Sequence, residues 1–352
     1  MRLQSQKSNS GNLREALSGI NNPDLLIMIS NKSQFEQHVK ELAEAYPNVP
    51  SIATTGHFYD SQVKEGGVGI AAFFGVKAEA GVLRHVSTMP VSDIAGLKDC
   101  VRKVGAGASD TVCINLCAGN DACVLTTMDS VLGPAHISLT GGTAFDGLVA
   151  LNGTVYEDSS AYALVKNVGG RIKVYKENIY RPSETDKTSY IASKTDRENY
   201  YVGELNGKPA KQVYMDALHI PESKIETQTF QNPFGKITGD DICIISLKGV
   251  KGSGLCCYRQ VNDSDVLTLL EVQDYKGVVN ETIQNIKHDF PKVSGVFSIN
   301  CVFRYLFFND NHYTAEYLRE MATLGPHCGF FANGEECNSQ FVNQSMSCVV
   351  FG

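Results

Sequence analysis

The sequence predicts an α+β fold (mixed α/β), with two sheet-bearing modules packed with flanking helices and mixed, mostly antiparallel sheets. Apolar residues make up 43% of the chain, which is ordinary for a globular protein. Continuous apolar runs such as DLLIMIS alternate with segments of helical spacing. Glycine turns and Asn-Gly pairs separate short strands, which favours hairpins over a purely parallel sheet. A chain of 352 residues is long enough for two domains.

The first half of the chain is predicted to begin with a polar segment, residues 1–22, that is disordered or forms a short helix. Ser33 and Glu36 then have capping-box spacing, and the helix that follows is expected to end at Pro47. The other elements predicted up to residue 180 are strands at 24–30, 51–60, 66–76 and 110–117, a helix at 91–104, a helix or loop at 121–133, and a strand, glycine turn and Asn-Gly hairpin over 136–166.

The second half begins with a polar stretch, residues 181–212, which is predicted to connect the two modules and to contain a short hairpin at Asn206-Gly207. The modules are therefore placed at residues 23–180 and 213–352. The elements predicted in the second module are helices at 210–220, 275–290 and 313–325, and strands at 240–250, 255–261, 266–272, 294–308, 328–335 and 345–352.

Charge and composition exclude several classes of function. The formal net charge is −7, and no Lys/Arg-rich run offsets it, so no nucleic-acid partner is expected. No apolar stretch has the length of a membrane helix or of a signal peptide core, so we expect no membrane insertion and a cytoplasmic location. The eleven cysteines indicate free thiols in a reducing compartment.

Cysteine spacing predicts no metal site. Cys113, Cys117 and Cys123 follow one another with C-x3-C and C-x5-C spacings, and none of them forms a C-x2-C pair. Cys113 lies in the predicted strand TVCINLC, where a cysteine acts as a small apolar core residue. Structural thiols are therefore favoured over zinc or iron–sulfur ligands.

Two polar segments at strand ends are candidates for ligand binding. Thr54 and Thr55 precede Gly56, and this segment is interpreted as a polar ligand site or as a turn that closes a strand. The segment GGTAFDG, Gly141 to Gly147, lacks both G-x-G-x-x-G and G-x4-G-K-S/T, so a tight or closely packed turn is favoured over a phosphate cradle.

Arg304 lies shortly after Cys301, near the end of a predicted strand. It is interpreted either as a partner for an anionic ligand or as half of a structural Arg–Glu pair, with Glu335 as the suggested carboxylate.

The sequence contains no nucleophile elbow and no assignable Ser–His–Asp set, so no enzyme is predicted. A hydrolase-like enzyme with a cysteine nucleophile, such as Cys301, is kept as an alternative.

Three segments carry a resemblance to a known family. The ending GFFANGEECNSQFVNQSMSCVVFG resembles the close of the FIST C-terminal domain, and FSINCVFR resembles the Ser-x-x-Cys-x-x-Arg strand of that domain. LTGGTAFDGLVALNGTVYEDSSAYAL resembles the Gly-Gly-Thr-Ala hairpin of the FIST N-terminal domain. The resemblance covers roughly residues 24 to 352. In this chain Phe341 replaces the family's histidine, and Ser345 replaces its threonine.

The resemblance implies a stand-alone sensory protein for a small molecule, an amino acid or similar polar metabolite. FIST domains are often fused to signalling outputs, so a signal in trans to a histidine kinase, cyclase or chemoreceptor is expected. We expect Arg304 to hold an anionic group and Glu335 or Asp146 to hold an amine, in a cleft between the modules. The ten predicted ligand-binding residues are Thr54, Thr55, Gly141, Gly142, Thr143, Asp146, Cys301, Arg304, Glu335 and Asn343.

No cofactor is expected, and a haem-binding sensor of nitric oxide is the alternative that the resemblance adds. Such a sensor needs an axial histidine, and no spacing selects one. The candidate axial ligands are His57, His85, His136, His219 and His327.

Overall fold

The structure, a computed structural model, describes residues 1–184, 189–239 and 241–352. Residues 185–188 of the predicted connection and residue 240 of a predicted strand lie outside the described residues. The chain forms two compact units. Unit 1 comprises Met1–Glu177, Val279–Phe341 and Ser345–Gly352, and unit 2 comprises Asn178–Val278 and Val342–Gln344. The predicted mixed α+β fold with several sheets is confirmed.

The strands and helices are numbered here in chain order. The strands up to residue 178 are β1 Arg2–Ser8, β2 Leu25–Ser30, β3 Ser51–Thr55, β4 His57–Tyr59, β5 Val63–Lys64, β6 Val68–Phe74, β7 Val76–Arg84, β8 Thr111–Ala118, β9 Ser138–Thr143, β10 Val149–Leu151, β11 Thr154–Tyr156, β12 Ser159–Asn167 and β13 Ile172–Asn178. The remaining strands are β14 Tyr180–Pro182, β15 Ser189–Asp196, β16 Tyr201–Leu205, β17 Lys208–Pro209, β18 Phe234–Thr238, β19 Asp241–Ile245, β20 Leu247–Lys251, β21 Gly254–Cys257, β22 Val266–Val272, β23 Gly295–Cys301, β24 His327–Ala332, β25 Glu335–Cys337, β26 Gln340–Val342 and β27 Ser345–Phe351. The α-helices are α1 Leu13–Ala16, α2 Phe35–Ala45, α3 Ile94–Val104, α4 Asp121–Leu132, α5 Ala210–Leu218, α6 Ile225–Gln228, α7 Tyr275–Asp289, α8 Val302–Asp310 and α9 Thr314–Ala322.

Unit 1 contains three six-stranded mixed sheets. Sheet 1 has the order β1-β6-β2-β3-β10-β11, sheet 2 the order β26-β25-β9-β8-β12-β7, and sheet 3 the order β13-β27-β23-β24-β4-β5. Each sheet includes a parallel pair joined by a helical crossover: β2 and β3, β8 and β9, and β23 and β24. Because parallel strands run the same way, the carboxyl ends of each pair lie at the same edge of its sheet.

The three sheets of unit 1 share one apolar core. Ile27, Leu116 and Phe297 belong to it and come from sheets 1, 2 and 3. Helices cover the other faces: Phe35 of α2 packs on sheet 1, and Met128 of α4 packs on sheet 2. The central strands are therefore buried on both faces, which explains their continuous apolar runs.

Unit 2 is built on a nine-stranded sheet with the order β19-β18-β22-β15-β16-β21-β20, to which β14 adds at β22 and β17 at β16. Tyr214 of α5, Ile225 of α6 and Phe234 of β18 are fully or almost fully buried in its core. The predicted hairpin at Asn206-Gly207 is confirmed by the pairing of β16 with β17. No helix in the described ranges has the length and apolarity required to cross a lipid bilayer.

The polar N-terminal segment differs from its prediction. Residues 2–8 were expected to be disordered or helical, and they form β1, which pairs antiparallel with β6 from Arg2 opposite Phe74 to Ser8 opposite Val68. Leu3 is the apolar residue of β1 that is buried. The strand is held by backbone pairing along a buried neighbour, a tertiary contact that composition does not reveal. The short helix expected in this segment is α1.

The described part of the 181–212 stretch is more regular than a connection. It contributes strands β14 to β17 to the sheet of unit 2. In β15 the side chains of Tyr190 and Ala192 are buried while Ser189 and Ile191 are exposed, which is the period of two that a half-buried strand requires.

The predicted strand over residues 294–308 was wrong in its second part. β23 ends at Cys301, and α8 begins at Val302, so Arg304 lies on a helix and not at a strand end. A run of 15 apolar-rich residues is too long for a typical strand. The buried positions Arg304, Tyr305, Phe307 and Phe308 have helical spacing, i, i+1, i+3 and i+4.

Candidate functional site

The carboxyl ends of several strands of unit 1 lie close together. The Phe145 amide donates to the Thr55 carbonyl oxygen over 3.1 Å, and this contact joins the segment after β9 to the end of β3. The Asn333 amide donates to the Thr143 carbonyl oxygen over 3.0 Å, which joins the segment after β24 to the end of β9. Strand ends from all three sheets therefore meet in one region, the usual location of ligand sites in α/β proteins.

The predicted threonines stabilise the turn after β9. Thr55 Oγ1 accepts a hydrogen bond from the Asp146 amide over 2.9 Å, and Thr54 Oγ1 donates to the Leu148 carbonyl oxygen over 3.2 Å. Both threonine side chains are fully buried, whereas Asp146 is exposed. Both hydroxyls therefore bond to the segment after β9, more than 90 residues away along the chain, and not to a turn that closes β3.

The predicted glycine turn begins later than expected. Gly141 and Gly142 lie inside β9, opposite Glu336 and Glu335 of β25. A Cβ atom on Gly141 would lie 2.1 Å from Glu336 Oε2, and one on Gly142 would lie 2.7 Å from Ile299 Cγ2. Both glycines therefore make room for neighbouring side chains. The groups that approach the backbone of β9 closely belong to the protein and not to a ligand.

The Gly141→Ala variant is expected to lose about 1–3 kcal/mol of unfolding free energy, since the added methyl group meets a buried carboxylate and the Asn115 carbonyl oxygen at 2.7 Å. Urea unfolding measures this loss. Gly66→Ala is the matched control, because a Cβ atom on Gly66 has no neighbour within 4 Å. Equal stability of the two variants would show that the Glu336 side chain can move away from β9.

Glu335 is fully buried beside the first residue of β27. Its Oε2 accepts hydrogen bonds from the Ser345 amide, 3.1 Å, and the Ser345 hydroxyl, 2.9 Å. Burial raises the pKa of Glu335 to about 8, and the bonds from Ser345 and the Cys301 thiol act in the opposite direction. The Cys301 side chain is 3% exposed, so the thiol named for the hydrolase alternative lies in the interior of unit 1.

Asn343, the tenth predicted residue, belongs to unit 2.

Arg304 forms a buried structural pair. Its guanidinium Nη2 bonds to Glu177 Oε1, and neither side chain is exposed. The guanidinium carbon also lies 4.5 Å from the centre of the Phe308 ring and 5.5 Å from the centre of the Tyr317 ring. The Arg–Glu pair of the sequence analysis is therefore present, with Glu177 in place of the suggested Glu335.

A group of polar residues around Thr143 was not among the predicted site residues. The Thr143 hydroxyl donates to Asp121 Oδ1 over 2.7 Å, and Asn115 Nδ2 donates to Glu336 Oε2 over 2.7 Å. One ligand atom from each of Cys117, Asp121 and Glu336 lies within 4.8 Å of the others. Burial raises the pKa of all three groups, and the neighbouring carboxyl of Asp121 raises those of Glu336 and Cys117 further.

One sequence signal could have found this group. Glu335 and Glu336 are adjacent in a strand, so their side chains point to opposite faces. Both are fully buried, so one carboxyl group lies in the interior on each face of β25. A pair of acidic residues beside an apolar closing strand is unusual enough to indicate a polar interior.

Unit 2 contains a cavity of about 490 Å³. None of the ten predicted residues lines it. The residues that matter for its chemistry are Tyr200, Glu226, Lys248, Cys256 and Tyr258. Tyr200 and Tyr258 are 41% and 45% exposed, so part of each aromatic side chain is accessible from the cavity.

A β-bulge shapes the wall of this cavity. Leu247 is opposite Cys257 and Gly249 is opposite Cys256, so Lys248 is the extra residue of β20. Gly249 has φ of 153°, and a Cβ atom on it would lie 2.8 Å from Glu226 Oε1. The absence of a side chain at residue 249 therefore lets the Glu226 carboxylate approach the backbone beside Lys248.

The histidines named for the haem alternative lie in different settings. His57 is half-buried and its ring lies 4.9 Å from that of Phe145, while His327 is buried and hydrogen-bonded to Ser298 Oγ over 2.7 Å. Burial lowers the pKa of both imidazoles. The backbone at His85, His136 and His219 is in the left-handed region, with φ of 53°, 52° and 54°.

The sequence matches the FIST N domain over residues 24–208 and the FIST C domain over residues 210–338. The chain belongs to the FIST family. This confirms the resemblance to both FIST domains, and the C domain match includes residues 329–338 of the closing segment. FIST domains are sensory domains that bind small ligands in signalling, and they are not typically enzymes. A comparison with curated proteins gives no match.

The strand-end region of unit 1 includes residues from both matched domains. The strand ends around Gly141 and Thr143 lie in the N domain match, and β25 with Glu335 lies in the C domain match. Phe341 lies just beyond the C domain match and packs against the apolar cluster that α3 and α4 form on sheet 2. An apolar ring at this position is thus compatible with the packing of this FIST protein.

Proposed function

We propose that this FIST protein is a cytoplasmic sensor for a small zwitterion, an amino acid or similar metabolite, which binds in the cavity of unit 2. One observation carries the proposal: a cation, Lys248, and a carboxylate, Glu226, line the same cavity. An amino acid carries the two complementary charges on adjacent groups. The cavity volume of about 490 Å³ lies within the range of small-molecule sites.

Lys248 and Glu226 are available to a ligand. Within the described ranges neither side chain forms an ion pair at 4.0 Å or less, and both are exposed. Lys248 Nζ lies 6.0 Å from the centre of the Tyr258 ring, so this aromatic face borders the cation. Tyr200 and Tyr258 line the cavity and supply aromatic surface for a ligand side chain.

The affinity of the ligand is expected to depend on both charges. Lys248→Met and Glu226→Gln should each weaken binding roughly 10-fold, or about 1.4 kcal/mol, because each removes one charge-assisted contact. Isothermal titration with a panel of free amino acids measures this effect. Lys251→Met is the matched control, since Lys251 is an exposed cation at the end of the same strand and lies outside the cavity lining.

A change in the ligand tests separately whether Lys248 binds the carboxylate of the amino acid. An amino acid amide lacks the carboxylate, so its affinity should be the same for the wild type and Lys248→Met. Failure of every amino acid to bind would contradict the zwitterion, and binding that both cavity variants leave unchanged would place the site elsewhere. In a thermal-shift screen, ligand at 100 times its dissociation constant adds about 2.7 kcal/mol of stability.

We further propose that the ligand signal passes to a separate protein, such as a histidine kinase, a cyclase or a chemoreceptor. The support is the sensory role of the family, since a sensor needs an output that its ligand changes. Binding of a co-expressed kinase, cyclase or chemoreceptor should change in affinity when the amino acid is added. An affinity that is unchanged by the ligand would separate this partner from the sensing function.

A further inference from the structure

We propose that Cys117, Asp121 and Glu336 form a binding site for a divalent transition-metal ion, zinc being the best fit. The three ligand atoms lie within 4.8 Å of one another. Tetrahedral zinc, with bonds of about 2.0–2.3 Å, holds its ligand atoms roughly 3.3–3.8 Å apart. Small side-chain rotations therefore bring all three groups to bonding distance.

The donor set selects the class of metal. A thiolate favours zinc and other transition metals over magnesium and calcium, which prefer oxygen ligands alone. Two carboxylates and one thiolate supply three negative charges when ionised, enough to offset a divalent cation in a buried place. Binding of the cation releases the thiol proton of Cys117 and any proton held by the two carboxyl groups to the solvent.

The surroundings orient the ligands in the manner of a metal site. Asn115 Nδ2 donates to Glu336 Oε2 over 2.7 Å, and the Thr143 hydroxyl donates to Asp121 Oδ1 over 2.7 Å. Ser160 donates in turn to Asn115 Oδ1. One oxygen of each carboxylate is therefore held by a fixed donor, as the outer partners of metal ligands usually are.

A separate observation points to a missing partner. Glu336 Oε1 is buried, and no N–H or hydroxyl group among the residues that the structure describes donates to it; the neighbouring acidic group is the carboxyl of Asp121. Buried carboxylate oxygens are almost always satisfied, because an unpaired one carries the full cost of desolvation. A cation between Glu336, Asp121 and Cys117 would supply the partner.

The position in the fold gives the metal a fixed frame and an open side. Cys117 lies near the end of β8, Asp121 is the first residue of α4, and Glu336 lies in β25. Asp121 is the one ligand that is partly exposed, while the other two are fully buried. A fourth position, on the side of Asp121, is thus left for water or an external ligand, as in zinc sites that bind exchangeable groups.

The test uses the full chain, stripped with a chelator and then titrated with Co²⁺ and Zn²⁺. We expect one equivalent of metal per chain and a thiolate-to-cobalt charge-transfer absorption that zinc abolishes. Cys117→Ser should lose this absorption, and Glu336→Gln and Asp121→Asn should each weaken zinc binding at least 10-fold. Cys123→Ser is the control, because Cys123 is a half-buried thiol on α4 outside the site and its loss should change nothing.

Asp121→Asn keeps the proposal testable if the buried variants do not fold, since Asp121 is partly exposed. Absence of cobalt or zinc binding by the wild type would overturn the site, as would an absorption that depends on Cys123 and not on Cys117. The metal site is independent of the proposed amino acid site. Lys248→Met should therefore bind zinc as the wild type does, whatever the outcome of the amino acid titrations.

Discussion

The Arg304→Met variant is expected to unfold with a free energy about 3–5 kcal/mol lower than that of the wild type. Arg304 and Glu177 form an ion pair in which both side chains are fully buried. Methionine keeps much of the packing on the Phe308 and Tyr317 rings but leaves the Glu177 carboxylate without its cation. Urea unfolding followed by circular dichroism measures the difference.

A double variant separates charge from packing. Arg304→Met combined with Glu177→Met should recover most of the lost stability, because the interior then holds no unpaired charge. Arg84→Met is the surface control. Arg84 pairs with Asp93 but its side chain is 54% exposed, so its loss should cost at most about 1 kcal/mol. A double variant no more stable than Arg304→Met alone would show that the arginine acts through packing and not through its charge.

The stability of the protein is expected to fall by about 3 kcal/mol between pH 7 and pH 4 through His327 alone. Burial lowers the pKa of His327 from 6.5 to about 4. Below pH 6.5 the unfolded chain binds a proton that the folded imidazole refuses, so stability is lost as the pH falls towards 4, at about 1.4 kcal/mol per pH unit. Urea unfolding at pH 7, 5.5 and 4 tests this slope.

The comparison variant for this titration is His327→Gln, which retains a group able to bond to Ser298. Its stability should depend less steeply on pH than that of the wild type between 6.5 and 4. His288→Gln is the control for the loss of an imidazole from the surface, since that side chain is 90% exposed. Identical slopes for the wild type and His327→Gln would mean that folding does not lower the pKa of His327.

Sequence patterns predicted the elements whose signals are local. The apolar run of β2, the helical spacing of α2 and the Asn152-Gly153 hairpin between β10 and β11 all carry their signal within a few residues. The predicted cap at Ser33 is not formed, since Gln34 precedes α2 without a side-chain cap. The strand β1 has no such signal, because the residues of its partner β6 lie 60 or more positions away along the chain. The boundary between β23 and α8 was missed because an apolar run does not reveal its period when both faces are buried.

The candidate sites were harder to predict for the same reason. Gly141, Gly142 and Glu335 were named from motifs, and the structure pairs Gly142 with Glu335 across β9 and β25. The bond from Asn115 to Glu336 joins residues 221 positions apart, and no local pattern reports such a contact. The cavity of unit 2 was missed because its Lys248 is set by a β-bulge, which depends on the register of two strands.

The position of β27 has a consequence for the order in which the protein is made. This strand lies inside sheet 3, between β13 and β23, although its residues are synthesised after all the others described here. During translation the other strands of sheet 3 are therefore synthesised before β27, the strand that joins β13 to β23. Nascent chains will carry two unprotected strand edges for that interval, and these edges are where chaperones should bind and where aggregation should begin.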